Sequence, residues 1–203
     1  MKKYAVLHEP GDIVTLAGTR FVVLDVERRG SLPDSLFLLA LESVGASEFG
    51  SSNNYAESDL KKAVDKWLED MGKRGLDNAK LIPREIDLTT LDGSGCYGKL
   101  SVKAAPLTLD EAREYADIIP NAERWCWLAT GWSGPSKSDG DLALYVSSNG
   151  GWNDVSCSLS YGIRPALKVP SILFEDSEAG LDLSKIPTDD LLQEIHRRLA
   201  EKA

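Results

Sequence analysis

Three short apolar runs fall within the first 41 residues, and their spacing is what most limits the fold. They occupy residues 12–17, 20–27 and 36–41, divided by a turn at Gly18 and by turn formers from Gly30 to Pro33-Asp34. Short apolar runs bounded by Gly, Pro and Asp are most simply buried strands. The expectation is an antiparallel meander.

Helical spacing follows. Leu60, Val64, Trp67, Leu68 and Met71 recur at i, i+4, i+7, i+8 and i+11 behind Ser58 as N-cap, with Gly72 as the expected stop. A second helix starts at Thr108, where Thr-Leu-Asp-Glu spells a capping box. It should turn Leu109, Ala112, Tyr115, Ala116 and Ile119 inward before Pro120 ends it. Residues 74–102 between the helices show little periodicity and many turn formers.

Strand spacing returns at 125–129 (Trp-Cys-Trp-Leu-Ala) and 142–146 (Leu-Ala-Leu-Tyr-Val), with a loop over 131–141 between them and a turn over 148–151. A last strand lies within 161–169, where Pro165 implies an irregular or edge position. Residues 175–190 hold six acids and one base, a linker-like balance. Thr188 then opens a tail helix with a narrow Leu191, Leu192, Ile195, Leu199 stripe, marginal unless it docks. The domain reading is therefore 1–174 for the folded unit and 175–203 for an acidic linker and amphipathic helix. That helix would dock on the domain or on another copy, making a homo-oligomer.

At 203 residues and 42% hydrophobic composition, such a unit can bury a full core without disulfides. Cys96, Cys126 and Cys157 are odd in number with no C-x-x-C pair, so they read as free thiols in a reducing compartment. The apolar run after Met1-Lys2-Lys3 is only four residues, too short for a signal-peptide core, and no stretch is long enough for a membrane span. A cytoplasmic product with no membrane partner is expected. With 23 basic against 32 acidic residues, a net charge of -9 leaves no basic stripe for phosphates. Direct nucleic-acid binding is disfavoured.

The order of these parts resembles a known family. Trp125-Cys126-Trp127-Leu128, then Leu144-Tyr145-Val146-Ser147-Ser148-Asn149-Gly150, then Tyr161-Gly162-Ile163-Arg164-Pro165-Ala166-Leu167 are similar to the W-W-L-R-S, Y-V-x-S-D-G and G-V-R-P-A-L segments of C-type-lectin-like domains from gut bacteria and their phages. The likeness spans residues 13–169, and Ala129 and Thr130 replace the family's Arg-Ser. It implies an α+β, C-type-lectin-like fold with antiparallel sheets, two packed helices and, here, a helical tail. Relatives include variable proteins of diversity-generating retroelements, which bind ligands through residues before the last strand, and formylglycine-generating oxidases. One fold offers a binder and an enzyme.

Two features of these relatives are tested by residue chemistry. Trp152-Asn153-Asp154 with Cys157 resembles the sugar-binding calcium loop of C-type lectins. Calcium wants six to eight oxygens, and the tripeptide that should supply several is Ile119-Pro120-Asn121 here, with Ile119 in place of a carboxylate. Asp139 and Asp141 would help only if their loop folded over Asp154. The expectation is no calcium, with Trp152 packed and Asn153 and Asp154 as turn or surface residues. The oxidases need paired cysteines for copper, and only Cys157 lies between the Trp-rich strand and the G-x-R ending. His8 and His196 are the only histidines, and neither G-x-S-x-G nor G-x-x-x-x-G-K occurs.

The expectation that remains is a non-enzymatic binding module, phage or prophage encoded and possible to carry on a phage particle. It would recognise a protein or glycan through Tyr145, Ser147, Asn149, Trp152, Asn153, Asp154, Ser156, Ser158, Ser160 and Tyr161. Tyr gives area with few rotors, and Ser and Asn give adaptable hydrogen bonds. Trp125, Trp127 and Ile163 are expected in the core. Two alternatives are an intracellular inhibitor whose acidic surface binds a basic host protein, and an oxidase.

Overall fold

The computed structural model of the chain describes residues 8–30, 32–174, 188, 189 and 192. The expected meander forms from β1 (Ile13–Leu16), β2 (Thr19–Arg29) and β3 (Leu32–Ala40), paired antiparallel in that order. The β1–β2 turn is two residues long, and both adopt positive φ, 46° at Ala17 and 76° at Gly18. That left-handed pair matches the twist of a hairpin.

Alternation along these strands feeds two cores. Phe21, Val23, Leu36, Leu38 and Ala40 point to one, and Val22, Leu24 and Leu39 to the other. The first core receives Leu60, Val64 and Met71 from α1 (Asp59–Lys73), whose N-cap is Ser58. The helix runs past Gly72, the expected stop. A side chain there would lie 3.1 Å from Asn78 Nδ2, which donates to the Leu68 carbonyl, so glycine serves close approach. Termination falls to Gly75, at φ 103°.

Residues 74–102, where the sequence shows little periodicity and many turn formers, contain a hairpin of β5 (Arg84–Asp87) and β6 (Lys99–Val102), numbered after β4 (Ala46–Glu48). A two-residue strand β7 (Ala104–Ala105) follows. The capping box at Thr108 forms as expected and opens α2 (Leu109–Glu114). This helix is shorter than its spacing suggested. Tyr115 ends it, packing edge-on against Phe37 at 5.7 Å, and Ala116 is exposed rather than inward.

The second sheet comprises β8 (Cys126–Gly131), β9 (Leu142–Val146), β10 (Trp152–Ser156) and β11 (Ser160–Gly162), in the order β10-β9-β8-β11-β4. Its pairings are antiparallel except at Gly162 and Cys126. Leu128 and Leu144 join α2 in the second core, whereas Trp127, Ala129, Ala143 and Tyr145 join the first. The final strand β12 (Ala166–Pro170) lies inside the first sheet, between β3 and β7, rather than at an edge. Pro165 is tolerated because it precedes the ladder, where only its carbonyl is needed, accepting from Ala40 N at 2.8 Å.

The architecture is thus α+β with antiparallel sheets and two helices. Among the described residues no helix is long and apolar enough to cross a membrane. The linker and nearly all of the expected tail helix lie outside the described residues; Leu192, from its stripe, is exposed.

Candidate functional site

The Trp-Asn-Asp stretch, with Trp152 expected to be packed and Asn153 and Asp154 to be turn or surface residues, is the start of β10, an edge strand hairpinned onto β9. Trp152 is exposed rather than buried. Asn153 sits opposite Tyr145, and Trp152, Asp154 and Ser156 opposite Val146, Leu144 and Leu142. Because directly opposed residues share a face and neighbours alternate, the candidates divide. Tyr145 and Asn153 lie on the Trp127 side of the sheet; Trp152, Asp154 and Ser156 lie on the α2 side.

The first side carries an aromatic stack that runs from core to solvent. Phe49 meets Trp127 edge-on at 5.4 Å, Trp127 meets Tyr161 at 4.8 Å, and Tyr161 meets Tyr145 at 4.9 Å. Trp125 closes the outer end, stacked on Tyr145 at 5.3 Å and edge-on to Tyr161 at 5.6 Å. Trp127 is 1% exposed and its indole N–H donates to the Ser47 carbonyl at 2.9 Å, so it is core as expected, with Ile163. Trp125 is 46% exposed. Its expected place in the core is therefore corrected. The strand begins one residue later, at Cys126, and the inner side below Trp125 is already filled by two tyrosine rings.

The polar candidates have mostly local duties. Ser147 Oγ donates to the Gly151 carbonyl at 2.8 Å and also bonds Asn149 Oδ1, so both side chains build the β9–β10 turn. Asn153 Oδ1 accepts from Asp154 N at 2.9 Å. Ser156 and Ser158 bond each other at 3.0 Å, and Ser160 is exposed on the sheet side opposite Tyr161. The ten residues thus form no single face.

On the α2 side, Trp152 is 42% exposed and lies beneath the Arg113 guanidinium, 5.5 Å from its ring centre. It rims an apolar cleft of about 90 Å³ between α2, β8 and β9. Cys126 lines this cleft, whereas Cys157 belongs to the first core. Burial pushes the Cys126 thiol up to about 11 and Cys157 up to about 12, so neither supplies thiolate near neutrality. Asp141, through its carbonyl, accepts from Cys157 N, at the far end of β10 from Trp152. Ile119 and Pro120 line the cleft wall. Among the described residues no three His, Cys, Asp or Glu side chains gather closely enough to hold a metal ion.

Comparison with protein-family models, curated proteins and solved structures gave no match to this chain. Within the aromatic stack, the ring that sequence reasoning misplaced is Trp125, the most exposed of them. Its signal was available, since it follows the polar stretch Asn121-Ala122-Glu123-Arg124 rather than an apolar one.

Proposed function

We propose that this chain is a non-enzymatic ligand-binding module of C-type-lectin-like fold. It recognises a protein or glycan through the face formed by Trp125, Tyr145, Tyr161 and Asn153. The observation that carries the reading is the half-exposed Trp125 ring, held in place by stacking on Tyr145 and Tyr161. A rigid aromatic surface with one amide beside it loses little entropy on binding. Trp152 and Asp154 contribute to the other side of the sheet. The buried, protonated thiols of Cys126 and Cys157 weigh against an oxidase. The phage or prophage origin rests on the sequence resemblance alone.

An immobilised glycan panel and a panel of purified cell-surface proteins, each read with wild type, Trp125→Ala and Trp125→Phe, test this. Binding that Trp125→Ala removes and Trp125→Phe largely restores supports the face. A partner retained by Trp125→Ala but released by moderate salt would favour the acidic-surface inhibitor instead, because the chain's net charge is -9 and such contacts are screened.

A further inference from the structure

The cleft on the α2 side contains a charge that the fold leaves unanswered. Arg164 is 7% exposed and lines the same cavity as Leu39, Leu107, Leu128 and Val146. Its Nε donates to the Ala40 carbonyl at 2.7 Å, but its Nη2 is buried without a hydrogen-bond partner. Glu42 acts on it only from beyond ion-pair range, and burial lowers the guanidinium's pKa. A buried arginine donor is costly unless something pairs with it.

Among the described residues, the other buried guanidinium is answered internally. Arg84 pairs with Glu111 and donates to the Ala105 and Pro106 carbonyls, leaving only its Nε unpaired. Among the described residues nothing equivalent stands at Arg164. Carboxylates are the group that a guanidinium fork pairs with best in a dry setting.

We propose that this cleft binds a small organic carboxylate with a short branched apolar tail, its carboxylate on Arg164 and its tail against Leu107, Leu128 and Val146. At about 90 Å³, the space is smaller than the ~150 Å³ cavity that admits benzene. Four or five carbons fill it, and Trp152 and Ala116 stand at the rim. The site lies across the sheet from Trp125 and does not depend on the aromatic face.

The test uses the full chain and isovalerate, with isovaleramide as the uncharged isostere, followed by two-dimensional amide and indole NMR. Isovalerate should shift Leu39, Val146 and the Trp152 indole, and raise the melting temperature. The amide should bind about tenfold more weakly, because a charged hydrogen bond is replaced by a neutral one. Ala116→Leu, at an exposed position on the rim, should keep the fold and lose isovalerate binding. Arg164→Gln, where it folds, should lose the preference for acid over amide. Equal binding of acid and amide, no shifts at the cleft, or unchanged binding by Ala116→Leu each overturns the proposal.

Discussion

The first sheet and the open end of the second treat their exposed chemistry in opposite ways. Beside the first sheet, Arg84 lies over the Phe37 ring at 5.2 Å and is closed by Glu111, while Lys168 and Ser35 both bond Glu27. The charges there are paired within the fold, with only the Arg84 Nε left over. At the end of the second sheet, Trp125 keeps nearly half its surface in solvent and Arg164 keeps a donor free. Groups that cost stability without internal return are where a ligand can supply the missing partner. The difference separates scaffold from site more sharply than residue type does, since each region has its buried arginine and its aromatic rings.

The largest test of that separation is at the inner end of the aromatic stack. Trp127→Ala should cost about 3–5 kcal/mol in denaturant unfolding, the range for truncating a buried Trp. Trp127 touches Phe49 and Tyr161 and donates to Ser47. A loss below about 1 kcal/mol, the range of surface changes, would mean that the stack is mobile throughout and that its outer end is not a preformed face.

A second test sets the two arginines against each other. Glu111→Gln preserves the shape and the capping bond to Thr108 N but removes the charge facing Arg84. It should cost about 3 kcal/mol, the low end for breaking a buried pair, because the Glu111 carboxylate retains some solvent contact. Arg164→Gln removes a charge that has no internal partner, so it should cost no more than about 1 kcal/mol, the worth of its bond to Ala40. Equal costs would show that Arg164 is supported by the fold as firmly as Arg84 and would erase the contrast.

Much of this scaffold was legible from residue order. The meander, the Ser58 cap, the Thr108 capping box and the 142–146 strand follow from local rules that tertiary contacts did not override. What escaped has physical causes. The β5–β6 hairpin is four residues a side and alternates charges with single apolar residues, as in Arg84-Glu85-Ile86-Asp87, which leaves too little periodicity to read. Gly72 looked like a helix stop because its role depends on Asn78, six positions on. The candidate site was read as one stretch of aromatic and polar residues, but a strand with period two must deal them to opposite faces. Tyr145 and Asn153 went one way, Trp152 and Asp154 the other. Arg164 stood out only as part of a motif, since whether a buried charge has a partner is a long-range fact.

A similarly small stability effect belongs to the residue on which the binding reading depends. Trp125→Ala removes an exposed ring that stacks on Tyr145 and meets Tyr161 edge-on. Such aromatic pairs are worth about 0.5–1.5 kcal/mol each, and partial exposure holds the total near 1 kcal/mol. The circular dichroism spectrum should be unchanged, because β8 begins at Cys126 and loses no ladder bond. If Trp125 is there to meet a ligand, this change, trivial for folding, is the one that abolishes binding, and Trp127→Phe, which keeps a buried ring, should leave binding nearly intact. A Trp125→Ala protein destabilised as heavily as Trp127→Ala would place Trp125 in the core and dissolve the face. One that is stable and still binds its ligand would move recognition elsewhere on the molecule.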